Sequence, residues 1–256
     1  MKRKNINQIC YKKITLYSIT LMFFFSLFLI AYQWSHICGN HRLKHIIVSN
    51  TKVLDENIYR KVIGDIGEIK TNQINLKKII ASLEKHPYIE VVRASYRYPG
   101  TLKVEIVERE PIAILNSKPL LFLDKNGYVL PKIETSNHFS LPIMSNYNNS
   151  KELYPIGQKV LSVKTKESIE WLNQIRTQYQ FLYNNLSEIR LVAGDDVELI
   201  LLDEPTKILV GHKRFWDKIA ILKEFRNNLN PQKNLTDFSY LDMRYKNQII
   251  GRLRKS

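Results

Sequence analysis

The chain has 256 residues, 44% hydrophobic and 25% charged, which is the composition of a folded protein and excludes a disordered one. Thirty-nine Lys and Arg against 24 Asp and Glu give a formal charge of +15. That excess suits anionic lipid head groups, acidic polymer or acidic proteins without choosing among them, and two cysteines are too few for a disulfide framework.

Residues 1–13 are short, polar and basic, with Lys2, Arg3, Lys4, Lys12 and Lys13. They read as a cytoplasmic leader that sets orientation, because Lys and Arg accumulate on the cytoplasmic side of a span. Without those five the chain keeps 34 basic residues against 24 acidic, a charge of +10. Ile14 to Ser35 then carries no charged side chain. As a helix it would run about 33 Å, enough for a hydrocarbon core of roughly 30 Å. Tyr32 and Trp34 sit where interfacial aromatics belong. A cleaved signal peptide is the rival reading, but no pair of small residues follows the apolar core at cleavage spacing. A lipoprotein reading of Cys38 founders on Ile37 and His36 before it. Residues 14–35 are therefore expected to span the membrane, with the bulk of the chain outside the cytoplasm, where nucleic acid is not a natural partner. Cys10 and Cys38 then lie on opposite sides and do not pair.

His36, His41 and His45 follow closely, and His41 and His45 have an i,i+4 spacing compatible with zinc. No further ligand stands at a familiar distance, so no metal is expected. Leu43 to Val48 reads as a strand closed by the turn Ser49-Asn50-Thr51. Asp55 to Ile63 is a helix with Leu54, Ile58, Val62 and Ile63 on one face, stopped at Gly64 and Gly67. Asn75 caps a second helix whose stripe is Leu76, Ile79, Ile80 and Leu83, and His86-Pro87 ends it. Ile89 to Arg97 and Thr101 to Glu108 are strands around the turn Tyr98-Pro99-Gly100. The order is β-α-α-β-β.

The block from His86 to Leu115, HPYIEVVRASYRYPGTLKVEIVEREPIAIL, resembles the second half of the POTRA domain of the FtsQ/DivIB family of bacterial cell-division proteins. The features that carry it are His86-Pro87, Val91, Ala94, Arg97-Tyr98-Pro99, Leu102, Val104 and the exit Glu108-Arg109-Glu110-Pro111-Ile112-Ala113. Asn50 stands where that family's first strand commonly ends in Gly; Asn tolerates positive φ, so the turn survives.

Beyond Pro111 the chain reads as strands at 112–115, 119–123 and 128–130, with Asp124-Lys125-Asn126-Gly127 as a hairpin-type turn. That turn lacks the further ligands of a calcium loop. Residues 132–159 read as loop with a short strand at 141–144. Thr165 to Leu182 is a helix with Ile169, Leu172, Ile175, Tyr179 and Leu182 on one face. Strands follow at 188–192, 197–202 and 207–211, then a helix from Phe215 through Ile219, Leu222 and Leu229 to Asn230-Pro231. The closing stretch Phe238 to Ile250 resembles the final strands of the same family, with Tyr240, Asp242, Arg244 and Tyr245 in the positions of its Y-x-D-x-R-Y-type motif.

The expected fold class is α+β: a single N-terminal transmembrane helix, a β-α-α-β-β POTRA domain at 43–111, and a mixed β domain at 112–253 with a C-terminal edge strand. No phosphate-binding glycine loop, nucleophile elbow or Cys-x-x-Cys occurs. Asp195-Asp196 is read as turn chemistry, and Asp242 and Arg244, alternating on one strand face, as able to pair across the sheet, with a solvent-side charge pair and a role in recognition both open. No enzyme activity, cofactor or small-molecule substrate is expected. The resemblance implies a bitopic inner-membrane scaffold at the division site that recruits FtsB/FtsL-like proteins. By position in the motif it implies contacts at Tyr245 and Asn247, weaker support from Ile249, and Tyr240 and Arg244 beside them. It further implies that the POTRA domain meets upstream division proteins. Gly251-Arg252-Leu253 departs from the family, part of which ends this strand in Trp. A POTRA-bearing export module, needing a barrel or further POTRA copies, and a membrane-anchored cell-wall enzyme are the other classes open to the chain.

Overall fold

The computed structural model describes residues 3–39, 42–64, 73–98, 100–133, 140–230, 233–246 and 248–254. It divides into two compact units. One comprises Met1–Thr51, Asp55–Leu83 and Val92–Ile106; the other Lys52–Leu54, Glu84–Val91 and Val107–Ser256.

Helix α1, Arg3–Gly39, contains the stretch Lys13–Ile37, long and apolar enough to cross a membrane. Over Lys13–Ile37 the side chains are exposed all round, as expected of a helix whose solvent is lipid. Ser18, Thr20 and Ser26 donate their hydroxyls to carbonyls three residues back, which removes the cost of carrying polar groups in hydrocarbon.

After α1 come β1 (His45–Ser49), α2 (Glu56–Ile63), α3 (Leu76–Leu83), β2 (Ile89–Arg97) and β3 (Thr101–Glu108), the expected order. The sheet runs β1-β3-β2, with β1 parallel to β3. Strand β3 alternates strictly: Leu102, Val104 and Ile106 are fully buried, while Lys103 and Glu105 face outward and pair at 2.6 Å. Asn50 has φ +68°, the left-handed turn its side chain permits. Asp55 caps α2 by accepting from Asn57 N–H at 2.7 Å, and Asn75 caps α3 by accepting from Lys78 N–H at 3.1 Å. Gly64 ends α2 at φ +81°; Gly67, Pro99 and His41 lie outside the described residues. On α2 the expected stripe holds at Leu54, which is buried, and at Val62 and Ile63, which are half-buried, but not at Ile58. Tyr59 is the helix's fully buried residue, and Ile58 is exposed.

Glu108 shows how a buried charge is accommodated. Its carboxylate, 8% exposed, accepts from the backbone N–H groups of Lys52, Val53 (2.7 Å) and Leu54 (3.0 Å). A loop with three successive amides on one side needs an anion there, and a carboxylate needs such donors to be buried.

The remaining elements are β4 (Pro111–Leu115), β5 (Leu121–Asp124), β6 (Val129–Pro131), β7 (Ile143–Ser145), α4 (Val163–Gln178), α5 (Gln180–Asn184), β8 (Leu186–Leu191), β9 (Val197–Leu201), β10 (Lys207–Leu209), α6 (Phe215–Asn227), β11 (Phe238–Asp242) and β12 (Ile250–Leu253). They form one nine-stranded mixed sheet, β12-β11-β10-β9-β8-β7-β4-β5-β6. Helix α4 buries Ile169, Leu172 and Ile175, and α6 buries Phe215, Ile219 and Leu222, in the same core as Ile189, Leu199, Ile208 and Leu241. Trp171 and Phe215 stack with centroids 4.3 Å apart. The turn at 124–127 forms as expected: Asp124 accepts from the N–H groups of Asn126 and Tyr128, and Gly127 takes φ +76°.

The helix expected over 165–182 is broken. Tyr179 leaves helical geometry at φ −142°, ψ 60°, and α5 restarts after it. A long-range contact holds the redirected turn, Tyr183 Oη donating to the Ile112 carbonyl at 2.9 Å, and no periodicity in the sequence records it.

Replacing Glu108 by Ala leaves three amides without their anion and should cost about 2–4 kcal/mol. Glu108→Gln, which keeps one acceptor oxygen, should fall between. Urea unfolding of the detergent-solubilised chain measures this, and an unchanged midpoint for the Ala variant would contradict the assignment.

Candidate partner-binding edge

A sheet has two edges, and this one treats them differently. At one, β6 is short, ends in Pro131 and is covered by residues 156–160: Val129 N–H donates to Gln158 O at 2.9 Å, and Gly157 N–H to Val129 O at 2.8 Å. A proline and a covering segment are ordinary ways to blunt an edge. At the other, β12 pairs antiparallel with β11 alone, in the register Tyr240–Arg252, Leu241–Gly251 and Asp242–Ile250. All four of its residues are exposed, Ile250 and Leu253 among them. Its outer side has no strand neighbour among the described residues.

Packing explains why so weak a strand former as glycine sits in β12. A Cβ on Gly251 would lie 2.9 Å from the Phe238 ring and 3.1 Å from Leu241. Only a residue without a side chain lets the strand come down on these two. Arg254 then fastens its end, donating from its backbone N–H to Asp237 O at 2.9 Å and from Nε to Thr236 O at 3.0 Å.

Between β11 and β12 the chain leaves the sheet. The sequence reading carried strand character through Ile250, but β11 ends at Asp242 and β12 starts at Ile250. Tyr245 stands in the connection, 55% exposed. Asp242 and Arg244 do not pair across the sheet; they pair with each other. Arg244 Nη2 and Nε reach the two carboxylate oxygens of Asp242 at 2.6 and 3.0 Å, and Arg244 N–H adds a third bond at 3.0 Å. This clamp holds the Asp242 carboxyl below its ordinary range and pushes the Arg244 guanidinium up. It also fixes the direction in which the chain departs, and thereby the position of Tyr245.

Arg244, Tyr245 and Lys246 form one wall of a groove of about 210 Å³ whose other wall is the start of α6: Lys213, Arg214, Asp217, Lys218 and Ile221. Five cations and one carboxylate line it. Lys218 Nζ donates to the Val210 carbonyl at 2.6 Å, and burial pulls its pKa down. Arg214 takes the left-handed conformation at φ +55° to begin α6 and bonds Asp217 at 2.6 Å. A non-glycine residue held there stores backbone strain, which is found at recognition sites.

Two family profiles account for nearly all of the chain outside the apolar helix. The POTRA domain, FtsQ-type, matches residues 41–109, and FtsQ/DivIB, C-terminal related, matches residues 110–252. The chain belongs to the FtsQ/DivIB family. Among individual proteins, the cell division protein FtsQ of Geotalea daltonii is 25% identical over 214 residues, 82% of this chain and 74% of that protein. That of Geobacter sp. strain M21 is 24% identical over 178 residues, 70% and 64% respectively. The cell division protein DivIB of Staphylococcus aureus NCTC 8325 is 27% identical over 163 residues, 62% and 36%. The alignments thus cover under two thirds of the Geobacter FtsQ and about a third of the DivIB protein.

The residues singled out from the FtsQ/DivIB motif separate in space. Tyr240 lies on β11, flanked by Lys207 of β10 and Arg252 of β12. Arg244 and Tyr245 line the groove, while Ile249 packs against the core. Asn247 lies outside the described residues. Sequence reasoning missed the α6 wall. Its signal was present in Lys213-Arg214 directly before the amphipathic helix, but nothing local linked it to residues 244–246.

The pH dependence of the clamp follows from its sign. A carboxyl held below its unfolded value of about 3.8 contributes stability that is present above that value and lost as pH falls through the depressed folded one. Asp242→Asn should therefore be less stable than the parent at pH 7, with the deficit closing below about pH 4. Thermal unfolding across pH 2–7 tests it; a deficit of constant size would show that the carboxylate is not the source.

Proposed function

We propose that this chain is a non-enzymatic, single-pass scaffold of the cell-division machinery. On this reading α1 holds it in the inner membrane, its leader lies in the cytoplasm and residues 36–256 lie in the periplasm. It recruits FtsB/FtsL-like proteins by accepting an extended segment along β12. The observation that carries this is the contrast between the edges of the β-domain sheet, one covered and one open. An incoming strand would take up the outward amides and carbonyls of β12, the main chain giving affinity. Ile250 and Leu253, exposed on that strand, supply apolar contact. The groove beside it selects a partner whose flanking segment is acidic, since Lys213, Lys218, Arg244 and Lys246 face it together. Tyr245 at its mouth is a rigid amphipathic anchor of the kind that concentrates binding energy. By its position in the motif Asn247 contacts the partner as Tyr245 does, with weaker support from Ile249, and Tyr240 and Arg244 lie beside them. The POTRA domain makes separate contacts with division proteins that arrive earlier.

Affinity for the FtsB-like protein of the same cell, measured on the full chain in detergent, tests this. Tyr245→Ala should weaken binding tenfold or more, by about 1.4–3 kcal/mol. Gly251→Val, which drives β12 off Phe238, should weaken it at least as much. Tight binding by both variants, with folding intact, would remove β12 and Tyr245 from the interface.

A further inference from the structure

The β-α-α-β-β unit carries a second surface, at the end of its sheet where the chain arrives from α1. Strands β1 and β3 are parallel and begin side by side, His45 opposite Thr101. Strand β2 ends at Arg97 and turns directly into β3, so the β2–β3 turn lies at that same end. It is fastened there: Lys44 and His45 donate their N–H groups to Gly100 O at 2.8 and 3.3 Å. A Cβ on Gly100 would lie 2.6 Å from Arg42 O, so the approach requires glycine.

Arg42, Lys44 and Arg97 stand at this end, and Arg93 lies four residues back along β2. Arg42, Lys44, Arg93 and Arg97 are exposed, and Lys103 faces outward one strand step from Thr101. Glu105 is the one carboxylate at the outward positions of residues 93–97 and 101–105. Lys103 bonds it at 2.6 Å, and that lysine first, then Arg93 and Arg97, hold its carboxyl below the ordinary range. Tyr98 stands at the tip, 62% exposed.

Chain length then limits what this surface can meet. The apolar span ends at Ile37, and Lys44 follows seven residues later. Seven residues reach at most about 25 Å even when fully extended. The basic end is therefore tethered within a short distance of the head groups that α1 emerges from, whatever the path of the connection. Basic clusters beside a span are attracted to anionic lipid, and tyrosine is favoured at head-group depth.

We propose that Arg42, Lys44, Arg93, Arg97 and the Tyr98 tip form a membrane-facing surface that binds the head groups of anionic phospholipids. The proposal rests on the reading of α1 as a membrane span. Bound this way, the unit would be held against the bilayer instead of swinging freely on its tether.

The test uses the full chain with Cys10→Ser and Cys38→Ser, and an environment-sensitive fluorophore on Ser95→Cys, which lies between the two arginines on β2. The chain is reconstituted in vesicles of phosphatidylcholine alone, or with three parts in ten of phosphatidylglycerol. Emission should rise about twofold and shift to the blue in the anionic vesicles. The change should vanish in 0.5 M salt, because screening then acts over about 4 Å, and in Arg93→Glu/Arg97→Glu. Arg93→Gln/Arg97→Gln, a milder change, should reduce it. Identical emission in both vesicles would overturn the proposal, as would a lipid response that survives the charge reversal. A response to soluble acidic polysaccharide but not to phosphatidylglycerol would also overturn it and assign the surface to wall polymer. Failure of the chain to float with either vesicle would instead overturn the membrane-span reading.

Discussion

A β-sheet that does not close on itself must end in two strands whose outer amides and carbonyls have no partner within it. That constraint shapes the chain from Pro111 to Leu253. At β6 it is met inside the protein, by a proline and by residues 156–160 laid along the strand. At β12 no strand meets it among the described residues, and the strand is nevertheless held in place. Gly251 lets it settle on Phe238 and Leu241, and Arg254 fastens its far end. An exposed edge is a liability unless something occupies it, and the proposed recruitment role would occupy this one.

The features around the edge follow from keeping it both open and specific. An open ladder pairs with any extended segment, so discrimination must come from side chains beside it. The Asp242–Arg244 clamp turns the chain out of the sheet and sets Tyr245 at the mouth of a groove whose other wall is the start of α6. On the proposed role, the groove's excess positive charge would disfavour basic segments, and the tyrosine would favour one that brings an apolar residue. Charge is handled with the same economy elsewhere in the chain. Glu108 is buried with three backbone amides donating to its carboxylate, and exposed basic residues stand at the end of the β1-β3-β2 sheet that follows α1.

Much of this fold was legible in the sequence because local rules and the tertiary result agree. Strict alternation in Leu102, Val104 and Ile106, the capping residues Asp55 and Asn75, and Asn50 in the left-handed turn all required only neighbours along the chain. What escaped depended on distant partners. Periodicity runs through Tyr179, yet the helix breaks there and is re-anchored through Tyr183 to Ile112, 71 residues earlier. The residues from Phe238 to Ile250 alternate well enough to pass for strand throughout, but the clamp at 242–244 ends β11. Gly251 argues against a strand by propensity and is required in one by the Phe238 ring. Tyr245 was found from a motif. The cationic wall opposite it was not, because Lys213 and Lys218 become its neighbours only when α6 packs beside the end of β11.

The two edges give the account its most direct test. A photo-crosslinking residue would be placed singly at Ile250, Arg252 and Leu253 on β12, and at Val129 and Pro131 on β6, in the full chain in dividing cells. The account predicts adducts with one small division protein from the β12 positions and none from β6. Adducts from β6, or from neither strand while the protein still supports division, would contradict it.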